Sequence, residues 1–322
     1  MKKLKLPELN VKSTYQLKRK GVSFIVSFMR YAFLIAIGYV VLIQLIYMCS
    51  YAFRIPEEVN DASVVWVPKN YTLENFNVAA EALQYFKVLI NTLSVQVLGG
   101  LIEVFTCSIA AYGFARYNFK GKKFFFAIVI LMILVPPQMT AVSMSLNYAY
   151  FDLFGILEFI GNAIGKELRP NLLNSGMVFW MPSLFGVGLR SGLFIFIYNQ
   201  FFKGLPKELE EAAYIDGANA FTTFMRVVLP SSGVAFLTVT IFSVVWHWND
   251  YYLSILYLND NQPLSVALSK LASSIYNMSG YGSNSIAYSM AACLLYILPV
   301  VLMYLLLQRK FIASIDRVGI VG

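Results

Sequence analysis

Six runs of apolar residues, each long enough to cross a bilayer, constrain this chain more than any other feature. They cover roughly 22–50, 88–114, 124–151, 173–202, 228–258 and 285–307, bounded by charged or turn residues. About 20 apolar residues span the hydrocarbon core as a helix, whereas a barrel strand needs only about 10. Lipid offers no partner to a free N–H or C=O, so runs of this length are expected to be helical. The fold class expected is therefore an all-α membrane protein with about six transmembrane helices. Composition agrees: 58% of the 322 residues are hydrophobic, 13% are charged, and the mean hydropathy is +0.64.

The net charge of +8 invites a nucleic-acid reading, but the basic residues stand in short clusters beside the apolar runs, so no nucleic-acid partner is expected. One set of loops carries Lys2, Lys3, Lys5, Lys12, Lys18, Arg19 and Lys20, then Arg116, Lys120, Lys122 and Lys123, then Lys203, Lys207 and Arg226, then Arg309, Lys310 and Arg317. The opposite side has only Arg54, Lys69, Lys87, Lys166, Arg169 and Lys270. The positive-inside rule predicts that both termini are cytoplasmic. The first run is too long for a signal-peptide core and reads as a retained span. The organisation expected is a cytoplasmic N-terminal segment, 1–20, and a single transmembrane domain, 21–322, with a cytoplasmic loop at 203–227 and a cytoplasmic tail at 308–322. Cys49, Cys107 and Cys293 lie inside apolar runs without metal or redox spacing, and no metal site is expected.

The loop at 203–230 is the best punctuated segment. Pro206 suits a helix start, and Glu208, Glu210 and Glu211 fall in the first turns, where the helix dipole favours acids. Leu209, Ala212 and Ala213 form a small apolar face, and Gly217 is placed to end the helix. A second short helix is predicted with Phe221, Phe224, Met225 and Val228 on one side. Two short helices joined at a glycine make a compact knob suited to docking in a groove.

Glu211-Ala212-Ala213, with Gly217 four positions beyond and Val227-Val228-Leu229-Pro230 following, resembles the EAA loop of binding-protein-dependent ABC importer permeases. That family more often has isoleucine where Val227 stands. Further motifs resemble its carbohydrate branch, the second permease of maltose, glycerol-phosphate and multiple-sugar systems. They include Trp66-Val67-Pro68, Asn91-Thr92, Ala110 to Arg116, Pro136-Pro137-Gln138, Asp216-Gly217-Ala218 and Trp248-Asn249-Asp250-Tyr251. The tail Ile320-Val321-Gly322 is similar to that branch's glycine-containing tail, without the usual run of small residues before it.

The resemblance implies a type I ABC importer permease fold in the bacterial cytoplasmic membrane, with N and C termini inside. It implies pairing with a second, different permease around a shared pore, two ATPase subunits below, a sugar-binding protein above, and membrane lipid around. It further implies that Glu211, Ala212, Ala213, Asp216 and Gly217, with Leu209, dock into the ATPase. ATP and Mg²⁺ would belong to that partner and no cofactor to this chain, which has no phosphate-binding G-x-x-x-x-G-K-[ST] loop. The function expected is the permease subunit of an ATP-dependent importer of sugars or oligosaccharides, with no catalytic residues of its own. The alternatives are a permease for another solute class, or an ion-coupled secondary transporter.

Charges inside apolar runs need an account, Arg190 and Glu103 above all. They are expected to pair inside the bundle, unless Arg190 faces the pore or a partner permease, or snorkels to the lipid edge. Trp246, Trp248, Asn249, Asp250 and Tyr252 mix aromatic faces with polar groups, as a sugar path requires, although interfacial belts use the same residues. His247 is read as a partner within that cluster. Tyr276, Asn277 and Tyr281 are candidates for binding-protein contact, with a plain solvent loop as the other reading.

Overall fold

The computed structural model describes residues 11–61, 63–64, 66–152, 154–277 and 285–319; Tyr281 and the tail at 320–322 lie outside them. Helix dominates, and among the described residues the only strand-like pairing is a single bridge between Arg54 and Tyr71.

Helix α1 (Val11–Ala52) packs against α15 (Ser285–Gly319), while most of its apolar side chains point outward all round. Only lipid or another chain can cover such a surface. A polar segment follows, organised by the Glu58 carboxylate. It accepts hydrogen bonds from the backbone N–H groups of Lys69 and Asn70, each at 3.0 Å, and from Asn70 Nδ2 at 2.8 Å. Helix α2 (Glu74–Leu83) then meets α3 (Tyr85–Arg116) at Gln84, whose φ of 48° turns the chain between them. Asn75 ties this corner to the end of α1 by donating to the carbonyls of Ala52 and Arg54 at 2.9 and 2.8 Å.

Three helices are long and apolar enough to cross a membrane unbroken: Val22–Ala52 within α1, Tyr85–Arg116, and Ile286–Gln308 within α15. The third, fourth and fifth apolar runs differ from expectation, because none is one continuous helix. The third divides into α4 (Lys122–Leu134) and α5 (Pro137–Ala149), bent by 101°. Pro136 is extended there and Pro137 has no N–H to continue the ladder. The connection 150–176 contains a short helix, α6 (Ile156–Ile164). The fourth run divides into α7 (Met177–Leu184), which contains Pro182, and α8 (Ser191–Gly204). Between them, Gly186 adopts a φ of 68°.

The 203–230 loop forms α9 (Glu208–Ile215) and α10 (Ala220–Ser231), which turns by 83° into α11 (Gly233–Asn249). The fifth run is interrupted again at Asp250. Its carboxylate accepts from the backbone of Ser254 at 2.9 Å and from Ser254 Oγ at 2.7 Å, capping a fresh helix, α12 (Tyr252–Tyr257). Helices α13 (Leu264–Ser269) and α14 (Leu271–Asn277) follow. Run length alone does not reveal these interruptions, since apolar residues resume within a few positions of each break; the local marks are Pro136-Pro137, Gly186 and Asp250.

The core lies where α3 crosses α8 and α11. Val104, Cys107, Ala111, Phe194, Tyr198, Phe202 and Val239 are buried there together. A second cluster joins α2 and α15 through Val78, Leu83, Tyr288, Ala291 and Ala292, and Trp248 belongs to it.

Candidate functional site

The 203–230 loop is built as a knob with a defined end. Gly217 has a φ of 82°, the left-handed conformation that glycine adopts without a Cβ penalty. Its N–H donates to Tyr214 at 3.0 Å, and Ala218 N–H donates to Ala213 at 2.9 Å, which is the Schellman pattern. The next helix starts at Asn219, whose side chain accepts from Thr222 N–H at 2.8 Å.

Leu209, Glu211, Ala212, Asp216 and Gly217 are all exposed on this knob, and Ala213 is half-buried. Ile215 (86% exposed) and Phe221 (63%) widen the apolar surface. Phe221 therefore departs from the expected common face with Phe224 and Val228, which are buried in the core.

Glu210 is the acid that holds the knob, and sequence reasoning passed over it. Its Oε1 lies 2.5 Å from Arg116 Nε, and its Oε2 accepts from Tyr112 O–H at 2.9 Å. Arg116 Nη2 also donates to the carbonyl of Leu205 at 2.9 Å. The C-terminal end of α3 is thus tied to both sides of the loop. The available signal was spacing: Glu210 stands one position off the exposed Glu211, on the opposite side of α9.

The expected Arg190–Glu103 ion pair does not form. Glu103 is fully buried on α3 and its Oε1 accepts from the backbone N–H of Arg190 at 3.1 Å and from Ser191 Oγ at 2.6 Å. The break before α8 aims those donors at the carboxylate. The Arg190 guanidinium instead lies 5.4 Å from the Trp246 ring centroid. His247 joins Glu103 across α11, with Nε2 3.6 Å from Oε2. Its Nδ1 lies 3.0 Å from the Ser243 carbonyl. A Cβ at Gly188 would stand 2.8 Å from Glu103 Oε1, so only glycine admits the carboxylate there.

The aromatic-polar cluster at 246–252 is divided by the fold. Trp248 is buried and packs on Tyr296 at 5.9 Å between ring centroids. Trp246 stacks on Phe194 at 5.7 Å. Asp250 serves as the helix cap, while Asn249 and Tyr252 are exposed. None of them lines either of the two cavities that follow.

A cavity of about 190 Å³ lies instead among three broken segments, lined by Thr140, Tyr148, Phe179, Ser183, Gly188 and Tyr257 among others. Ser183 Oγ is buried without a hydrogen-bond partner. A polar cleft of about 420 Å³ is lined by Lys87, Asn91, Asp260, Gln262 and Lys270. Tyr276 and Asn277 stand exposed on α14, whose Ser274 also lines that cleft. Among the described residues, no group of His, Cys, Asp or Glu is placed to hold a metal ion.

Residues 104–317 match the family described as the binding-protein-dependent transport system inner membrane component. The chain belongs to that family. The permease is 30% identical to the melibiose/raffinose/stachyose import permease protein MelC of Bacillus subtilis, over 81% of this chain and 86% of that one. It is 28% identical to AmyC of Thermoanaerobacterium thermosulfurigenes, a probable starch degradation products transport system permease, over 77% and 81% of the two chains. YtcP of B. subtilis, a polygalacturonan/rhamnogalacturonan transport system permease, is 26% identical over 87% and 93%. The permease also shares its fold with a chain in the crystal structure of a bacterial ABC transporter involved in the import of the acidic polysaccharide alginate. The TM-score is 0.68 with 18% identity, over 90% of this chain and 98% of the other.

Proposed function

We propose that this permease is half of the membrane pore of an ATP-driven importer of sugars or oligosaccharides in the bacterial cytoplasmic membrane. Six spans, three of them interrupted, cross the bilayer with both termini in the cytoplasm, and residues 21–322 act as one domain. A second, different permease completes the pore. Two ATPase subunits, with their ATP and Mg²⁺, sit below, and a sugar-binding protein delivers substrate from outside. The relatives' carbohydrate descriptions support the substrate class.

The observation that carries this reading is the α9–α10 knob. It presents Leu209, Glu211, Ala212, Ile215 and Phe221 to a partner, while Glu210 fastens it to α3, which runs into the membrane. Closure of the ATPase pair around the knob moves α3, α8 and α11 together, because those helices share one core. The substrate path runs past the cavity among α5, α7 and α12, since interrupted helices leave polar groups available at mid-membrane. Tyr276, Asn277 and the outer polar cleft face the delivering protein.

The test is coupling. Glu211→Ala and Gly217→Val are expected to lose the ATPase subunits on purification or to leave ATP hydrolysis running without uptake, with the spans still inserted. Normal coupled uptake in both variants refutes the docking role.

A further inference from the structure

The connection between α5 and α7 is held close to its parent helix. Phe151 N–H donates to the Pro170 carbonyl at 3.1 Å and Leu172 N–H to the Tyr148 carbonyl at 2.8 Å, so both ends are tied at the end of α5. Within it, the Asp152 carboxylate accepts from the backbone of Leu157 and Glu158 at 2.8 and 3.1 Å, starting α6.

Helix α6 has three distinct sides. Leu157 and Gly161 face inward, and a Cβ at Gly161 would come within 2.5 Å of the Lys166 carbonyl, so glycine lets the returning chain lie against the helix. Glu158 and Asn162 form a polar side that continues into that returning chain. There Arg169 pairs with Glu167 at 2.7 Å and with Glu158 at 3.4 Å. The Arg169 hydrogen bonds hold the Glu167 carboxyl down to about 2, so Glu167 is a carboxylate at neutral pH.

The third side is Ile156, Phe159, Ile160, Ala163 and Ile164, spaced i, i+3, i+4, i+7 and i+8 and all exposed. At 100° per residue the stripe covers about 140° of the helix. Phe159 is 77% exposed and Phe154, just before the helix, is 100% exposed. Among the described residues nothing covers this face.

The surface it continues identifies its occupant. Val142 and Leu146 on α5, Tyr150 at its end and Phe154 just before α6 are each more than half exposed, so apolar side chains are presented outward along the chain up to the start of the stripe. In a membrane component, such a surface on a helix of an apolar run meets hydrocarbon. We propose that α6 lies in the plane of the outer membrane surface, with its stripe among the acyl chains of phospholipids and its charged side toward water. Lys166 and Arg169 then stand level with lipid phosphates. Because α5 carries Thr140 and Tyr148 into the 190 Å³ cavity, this float holds one wall of that cavity at constant depth. The inference rests on family membership and does not require the substrate to be a sugar.

The test uses the assembled transporter in bilayer discs of phosphatidylethanolamine and phosphatidylglycerol, after replacing Cys49, Cys107 and Cys293 with alanine. Nitroxide labels are placed at Phe159→Cys and, on the polar side, at Asn162→Cys; Ile156→Cys repeats the test on the stripe. Collisional relaxation by oxygen, which concentrates in lipid, is compared with relaxation by a water-soluble nickel chelate. Labels at 159 and 156 are expected to respond several-fold more to oxygen than to nickel, and the label at 162 the reverse. Equal or greater nickel access at 159 and 156 overturns the proposal. So does an immobilised label shielded from both reagents, which would mark a protein interface.

Discussion

Arg116 and Glu210 meet at 2.5 Å with both side chains more than nine-tenths buried, joining the C-terminal end of α3 to the knob. Tyr112 and the Leu205 carbonyl satisfy further hydrogen-bonding capacity of the pair. Removing one partner leaves a charge buried without its counterion, a loss of about 3–5 kcal/mol. Glu210→Gln and Arg116→Gln should therefore lower the unfolding temperature of the purified permease and reduce the amount of ATPase that purifies with it. Glu211→Gln, one residue away but exposed, should leave the unfolding temperature unchanged while impairing coupling. Thermal unfolding of the three variants, measured beside uptake, separates the anchoring acid from the docking acid.

The knob's exposed apolar residues lead to a second expectation. Ile215 and Phe221 contact little of their own chain, so Ile215→Asp and Phe221→Asp should preserve folding and membrane insertion. If they sit in the ATPase groove, each places a charge in a desolvated interface and should weaken association at least tenfold, or about 1.4 kcal/mol. Titration of purified ATPase onto the permease in bilayer discs, with wild type alongside, provides the measurement.

Much of this architecture can be read from residue order, and the exceptions share a cause. Three unbroken spans, the knob, the helix ended by Gly217 and the family resemblance all rest on local patterns: apolar run length, capping residues and motif spacing. The breaks at Pro136–Pro137, at Gly186 and at Asp250 fall inside apolar runs, so hydropathy carries straight through them. The partner of Glu103 could not be read from its depth in a run. The break before α8 turns the Arg190 backbone N–H, rather than its guanidinium, toward the carboxylate. Trp248 was chosen for its chemistry and proved to be a core residue, because three-dimensional neighbours such as Tyr296 decide what a Trp does.

The Glu103 site should tolerate almost no added volume. A Cβ at Gly188 would stand 2.8 Å from both Glu103 Oε1 and Ser183 Oγ. Gly188→Val must therefore move a buried carboxylate off its donors, which costs more than overpacking alone, about 1–3 kcal/mol. The expected result is a lower unfolding temperature and weaker association of α3 with α8, read as increased proteolysis or hydrogen exchange in both. Glu103→Gln keeps the shape and an acceptor oxygen for Ser191, so its loss of stability should be smaller than that of Glu103→Leu.

Ser183 distinguishes a substrate-lined cavity from an empty one. Its Oγ is buried, lines the 190 Å³ cavity and has no hydrogen-bond partner among the described residues. A buried hydroxyl without a partner is unfavourable, so in a cavity with no ligand Ser183→Ala should be neutral or slightly stabilising, with uptake unchanged. If a sugar hydroxyl passes there and supplies the missing partner, the same variant should raise the apparent KM for uptake about fivefold to tenfold, equivalent to about 1–1.4 kcal/mol, and leave the unfolding temperature unaltered. Trp248→Phe is the contrasting variant: its ring packs in the core with Tyr296, so it should lower stability and leave KM unchanged. Uptake kinetics of the two variants at matched expression therefore decide between the cavity and the 246–252 cluster as the place where substrate meets this chain.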